Sequence, residues 1–133
     1  MSSIFARIAS GEIPSYKIAA DDRFFAFLDI NPLTKGHTLV VPKKEIDYIF
    51  AMDDAWYRDF FSFARKVAIA IEKVVDCKRI GIAVVGLEVP HAHIHLVPMN
   101  DMDDLDFKRP KLVFTPEEFA EIARQISDQI SSI

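Results

Sequence analysis

The sequence predicts an α+β domain: about five antiparallel strands in one sheet, a long helix inserted between them, and a helix at the C-terminus. Three observations carry that reading. Short runs of β-branched and aromatic residues are separated by polar or proline-containing turns. Residues 53–75 carry apolar side chains three and four apart behind an acidic start. Thr115-Pro116-Glu117-Glu118 places an N-cap, a first-turn proline and a capping-box glutamate ahead of a second periodic segment. With 133 residues, half of them apolar, the chain suits a single domain over 1–133. Such a domain buries roughly two-thirds of its unfolded surface.

The elements follow in order. Apolar residues at 4, 5, 8 and 9 predict a short helix, with Gly11 as its left-handed stop before Pro14. Residues 16–19 and 24–28 flank a polar turn at 20–23 and predict a hairpin, which Asn31-Pro32 ends. Gly36 opens a third strand over 37–41, closed by Pro42. The long helix carries Trp56, Phe60, Phe61 and Phe63 at helical spacing, which reads as core packing rather than a ligand box. Strands at 80–85 and 93–97 follow, joined by a loop at 86–90. The acidic stretch 99–108 lacks the glycine and terminal glutamate of a calcium loop and is expected to be a solvated loop. The last helix should run from Pro116 to about Ser131.

Composition excludes several classes of function. A formal charge of -4, with no basic run longer than Lys43-Lys44, offers nothing to a nucleic-acid backbone. No apolar run approaches the ~20 residues that span a bilayer, and residues 1–14 lack a signal peptide's apolar core, so a cytoplasmic protein without membrane partners is expected. The lone Cys77 excludes an internal disulfide and a thiolate zinc site, and is expected to be buried or half-buried.

The chemistry concentrates in His91-Ala92-His93-Ile94-His95-Leu96-Val97, which holds three of the four histidines. In an extended strand this spacing puts the imidazoles on one face and Ala92, Ile94 and Leu96 on the other. Each unpaired buried imidazole nitrogen costs about 1–3 kcal/mol, so the histidine face should line a polar cavity or the surface. A metal site is one use of it, with His37, Glu45 or Glu88 completing the ligands. Phosphate chemistry is another: an imidazole with a pKa near ~6.5 is largely neutral at pH 7 and is a competent nucleophile toward phosphorus. Flanking imidazoles can then orient the nucleophile and donate to the phosphate oxygens.

The motif resembles that of the histidine-triad (HIT) family, His-φ-His-φ-His-φ-φ with φ apolar, and matches it at every position. Ser3-Ile4-Phe5-Ala6-Arg7-Ile8, Gly11-Glu12-Ile13-Pro14, Asp21-Asp22, Phe27-Leu28-Asp29-Ile30-Asn31-Pro32 and Gly36-His37-Thr38-Leu39-Val40-Val41-Pro42-Lys43-Lys44 also resemble the family's N-terminal half in order and spacing. The resemblance implies a HIT-like fold and a homodimer with an extended antiparallel sheet. It implies cleavage of a purine nucleotide conjugate, of the adenosine phosphoramidate type, at its α-phosphate through a nucleotidyl-histidine. A dinucleotide polyphosphate hydrolase is the alternative enzyme, and a catalytically impaired nucleotide- or metal-binding module the alternative class. His93 occupies the nucleophile's position, His95 that of the phosphate and leaving-group contact, and His91 and His37 complete the hydrogen-bonded site. Asp29 matches the acid that takes the ribose hydroxyls. Phe5, Ile8, Ile13, Phe27, Ile30 and Leu39 match the apolar walls.

Three departures qualify the match. Some members hold a structural zinc on two cysteines, a histidine and the first triad histidine; Ser3, Ala6 and Glu45 stand at three of those positions, so no zinc is expected. No cofactor is required on this reading, and a divalent cation is the one addition the chemistry admits. The segment ahead of the triad, Ala83-Val84-Val85-Gly86-Leu87-Glu88-Val89-Pro90, is shortened and puts Leu87 and Glu88 where an amide and a hydroxyl are usual. Met99 follows Pro98 where many members have arginine. Glu88 either faces the leaving group, binding an amine or acting as a general acid, or is a solvated loop carboxylate.

Overall fold

Punctuation in the sequence sets the element boundaries, as a computed structural model describes them for residues 3–130. Helix α1 (Ile4–Ala9) starts at Ser3, whose hydroxyl accepts the Ala6 N–H at 3.0 Å, and stops ahead of Gly11, where φ is 86°. Strands β1 (Lys17–Ala20) and β2 (Phe24–Leu28) form the expected hairpin. Gly36, at φ 90°, turns the chain into β3 (Thr38–Pro42), and an added Cβ there would lie 2.8 Å from Val75 Cγ2. Helix α2 (Asp54–Val74) is capped by Asp53, whose side chain accepts the Trp56 N–H. Strands β4 (Arg79–Ala83) and β5 (Ile94–Met99) follow, then α3 (Pro116–Ile130) behind the Thr115–Glu118 capping box. The expected end of that helix at Ser131 lies outside the described residues.

The strands form one antiparallel sheet in the order β1-β2-β3-β5-β4. Its two faces have different fates. Alternate residues of β2 divide between them: Phe24, Ala26 and Leu28 join Val40, Ala92, Ile94 and Leu96 under α2 and α3, while Phe25 and Phe27 join Leu39, Val41 and, from α1, Phe5 and Ile8. On the helix side Phe60 is fully buried and stacks on Phe24 with centroids 5.4 Å apart, flanked by Trp56 and Phe63, so the aromatic stripe of α2 is core.

Two expectations need correction. The last strand was expected over 93–97, yet its ladder runs from Ile94 to Met99, leaving both His91 and His93 ahead of it. The register Thr38↔Leu96 and Val40↔Ile94, continued by two residues, brings Ala92 opposite Pro42, which has no N–H to give. The Ala92 N–H bonds instead to the Ile46 carbonyl at 2.7 Å. The acidic stretch, expected to be a solvated loop, contains a 3-10 turn (Met102–Leu105) with a reciprocal Asp101/Asp104 capping box, and Arg109 bonds Asp104 at 2.9 Å. Its carboxylates cap backbone N–H groups, and the turn brings the chain back to the sheet.

Candidate active site

A cavity of about 640 Å³ opens on the face of the sheet that no long helix covers. Strand alternation selects its lining. Residues 25, 27 and 29, then 37, 39 and 41, then 91, 93 and 95 share that face, and Leu39 pairs with His95 across the β3–β5 ladder. Phe5, Ile8, Ile13, Phe27, Ile30 and Leu39 all line the cavity, as do Asp29, His37, His93, His95 and Glu88. Of the residues the sequence nominates, only His91 and the metal-ligand candidate Glu45 are away from the cavity lining. The expectation of a polar cavity face fails for His91, which is 0% exposed. Its Nε2 reaches the Pro42 carbonyl at 2.7 Å and its Nδ1 the Ser3 hydroxyl at 2.6 Å. Both nitrogens are satisfied, so its burial carries no unpaired polar group.

These bonds determine the protonation of each ring. A carbonyl only accepts, so His91 bears its proton on Nε2 and Nδ1 accepts from Ser3. His93 Nδ1 lies 2.7 Å from the His91 carbonyl and must donate to it, which leaves the lone pair on Nε2. That nitrogen has no hydrogen-bond partner among the described residues, and no buried side-chain nitrogen or oxygen there lacks one, so Nε2 opens to the cavity. On the neighbouring strand the Leu33 N–H donates to His37 Nδ1 at 3.0 Å. His37 then carries its proton on Nε2 and donates it to His95 Nδ1, also at 3.0 Å. His95, in turn, holds a proton on Nε2. The site presents a lone pair on His93 next to an N–H on His95, with ring centroids 4.9 Å apart.

Burial keeps these rings neutral. It pushes His37 down to about 3 and His95 to about 4, in each case aided by a neighbouring histidine. His91 and His93 are lowered by the same cause. Asp29, its Oδ1 accepting the Asn31 N–H at 2.8 Å, is raised by burial. Its other oxygen lies 3.6 Å from His37 Nε2.

Asp29, His37 and His95 place one potential metal-ligand atom each within 4.8 Å of one another. The hydrogen bonds oppose that use. A backbone N–H aimed at His37 Nδ1 forces the proton onto Nε2, making the nitrogen in the cluster a donor rather than a ligand. The zinc positions of the family fit a metal no better. Ser3 Oγ occupies His91 Nδ1, and Glu45 accepts the Ser3 N–H at 2.6 Å, so a hydroxyl, a methyl and one carboxylate stand where soft donors would be needed.

Three side chains at or beside the site escaped sequence reasoning. Ser3 is the hydroxyl on His91. Phe107 packs its ring edge-on against His95 with centroids 4.8 Å apart, and Lys111 joins the cavity lining. The signal for Phe107 was an aromatic residue alone in an acidic stretch; for Lys111 there was none. Glu88 sits exposed on the rim beside Val85, Gly86 and Leu87, and its charge reaches His93.

Comparison with known proteins gives this geometry a context. Residues 10–102 match the HIT domain. A HIT-like protein of Borreliella burgdorferi is 39% identical over 135 residues, covering 96% of this chain and 97% of that protein. Adenosine 5'-monophosphoramidase hnt1 of Schizosaccharomyces pombe is 34% identical over 133 residues, covering 98% of this chain and 99% of its own. Among solved structures, a HIT-like protein from Bartonella henselae superposes with a TM-score of 0.82 at 28% identity, covering 96% of this chain and 95% of that one. A Zn-bound histidine triad family protein from Mycobacterium smegmatis also reaches 0.82, at 28% identity and 99% and 95% coverage. The match over most of the length, together with the intact triad held in two hydrogen-bonded pairs, His37–His95 and His91–His93, places this chain in the HIT family.

Proposed function

We propose that the protein cleaves purine nucleotide conjugates of the adenosine phosphoramidate type at the α-phosphate, through a nucleotidyl-His93 intermediate. The observation that carries the reading is the His91 carbonyl on His93 Nδ1, which leaves an unprotonated Nε2 open to a nucleotide-sized cavity. The lone pair of Nε2 attacks phosphorus, a P–N bond forms, and the bond to the leaving amine breaks. His95 Nε2–H gives its proton to the leaving nitrogen, so that the amine departs neutral, and His37 holds that tautomer from behind. Water then attacks the same phosphorus and gives a proton back to His95, breaking the bond to His93 Nε2, returning the free imidazole and releasing the nucleoside monophosphate. Phe5, Phe27, Ile8 and Leu39 supply an apolar slot for a flat base, and Asp29 two acceptor oxygens for ribose hydroxyls. The similarity to the phosphoramidase of S. pombe supports the same substrate class.

The test is direct. Incubation with an adenosine phosphoramidate followed by an acid-free quench should leave a nucleotidyl adduct on His93 by mass spectrometry, absent from His93→Ala. Nucleotide binding without adduct or turnover would point instead to a binding module, the reading that the donor-poor loop before His91 favours. Faster cleavage of a dinucleotide polyphosphate would move the assignment to that class. For assembly we propose a homodimer through β4, an edge strand whose Ile82 is 53% exposed. Sedimentation of the wild type at twice the monomer mass, and of Ile82→Lys as a monomer, checks it.

A further inference from the structure

The cavity has an electrostatic imbalance that the triad does not correct. Its imidazoles are neutral, its lining includes the carboxylates of Asp29 and Glu88, and an incoming nucleotide phosphate is an anion. Among the described residues, Lys111 is the single lysine or arginine in that lining. Its position is built. The 3-10 turn and the Arg109–Asp104 pair shape the segment, the Leu112 N–H bonds the Pro32 carbonyl at 2.9 Å, and Phe107 packs on His95. The Lys111 ammonium bonds the Phe107 carbonyl at 2.5 Å and the Arg109 carbonyl at 3.0 Å. Two of its three N–H donors are thereby used to hold it, and one is left over. Because Phe107 both touches His95 and anchors the ammonium, the charge is delivered to the side of the cavity where His95 presents its N–H.

We propose that Lys111 is a specificity-determining residue of this site, an ammonium clamped on two backbone carbonyls so that it meets the phosphate of the bound nucleotide. The inference rests on the nucleotide reading above and adds the group that offsets the ligand's charge. Lys111 lies beyond residues 10–102, the span matched to the HIT domain, in the C-terminal segment. Where the shortened 86–90 loop brings Leu87 and Glu88 to the lining, the positive charge comes instead from Lys111. The ammonium is exposed as well as anchored, so its effect is moderate and sensitive to salt.

Binding of AMP and of adenosine to the full chain separates the alternatives, because the two ligands share base and ribose and differ in the phosphate. Lys111→Met keeps the aliphatic stem and removes the charge; it should weaken AMP about five- to tenfold, leave adenosine unchanged, and flatten the salt dependence of AMP affinity. Lys111→Arg should restore most of the affinity. In turnover the loss should fall mainly on KM. Unchanged AMP binding in Lys111→Met overturns the proposal, and so does an equal loss for both ligands, which would mean that Lys111 serves only the ribose acid or the shape of the segment. Wild-type protein that binds neither ligand defeats the nucleotide reading itself, whereas wild-type binding with an unaltered AMP-to-adenosine ratio in the variant defeats the role of Lys111 alone.

Discussion

The two faces of the sheet are built from the same materials and end in opposite states. Phe24 and Phe25 are neighbours on one buried strand, 1% and 7% exposed. Phe24 meets Phe60 and Trp56 from α2 and disappears into a closed core. Phe25 and Phe27 join Leu39 and Val41 against the short α1, and Phe27 and Leu39 are left as a cavity wall. A continuously apolar strand thus shows that both faces are covered, without showing by what. The open face is also where His37, His93 and His95 lie.

The sharpest way to break this contrast is chemical. His93→Ala should cut turnover by roughly a thousandfold or more while leaving the unfolding midpoint and AMP affinity little changed, which steady-state kinetics beside calorimetry would show. A loss of folding in that variant would make the open face structural after all. Phe60→Ala probes the closed face. It should cost about 3–5 kcal/mol in denaturant unfolding, with turnover per folded molecule preserved. Phe27→Ala, on the open wall, should cost less stability, about 1–3 kcal/mol, because its neighbours already border a cavity, and should raise KM. Ser3→Ala removes both the cap of α1 and the donor to a buried His91 nitrogen. About 1–3 kcal/mol of stability should go, with a smaller fall in kcat as the His91 carbonyl loses its anchor.

Acid supplies the gentlest test. His37 and His95 are held at about 3 and about 4 in the folded protein, against 6.5 for an ordinary histidine. Above pH 6.5 both states are neutral and these groups impose no slope. As pH falls below 6.5 toward about 4 the unfolded chain takes up protons first, so the thermal midpoint should decline steadily across that window. Variants confined to the helix face should keep the same slope. Activity measured on folded protein should persist well below the ordinary histidine range, since His95 stays neutral there.

Periodicity made the helices legible, because their caps and apolar spacing are local properties: Asp53, Thr115 and Gly11 act where the chain presents them. Phe27, Asp29, His37 and Leu39 were named by the resemblance to the HIT family rather than by spacing, and the fold brings all four to the cavity. Alternation failed where a long-range partner intervened. Pro42 cannot donate to the ladder, so β5 starts after His93, and the Pro42 carbonyl takes His91 Nε2 instead. No spacing rule anticipates which proline stands opposite which histidine.

By itself, then, the amino-acid order determined that three imidazoles share a side, that an apolar layer backs them, and where helices begin and end, since each follows from backbone geometry within a few residues. Tertiary structure decided which nitrogen carries the proton in His91 and His95, whereas nearby backbone groups, the Leu33 amide and the His91 carbonyl, make that choice for His37 and His93. The Pro42 carbonyl and the Ser3 hydroxyl reach His91 from 49 and 88 residues away in sequence. It also decided that residues 107 and 111 return to the cavity, because a capped turn and an ion pair fold the acidic stretch back on the sheet. A hydrogen bond between distant segments depends on the assembled fold, and the reactivity of a histidine depends on that bond.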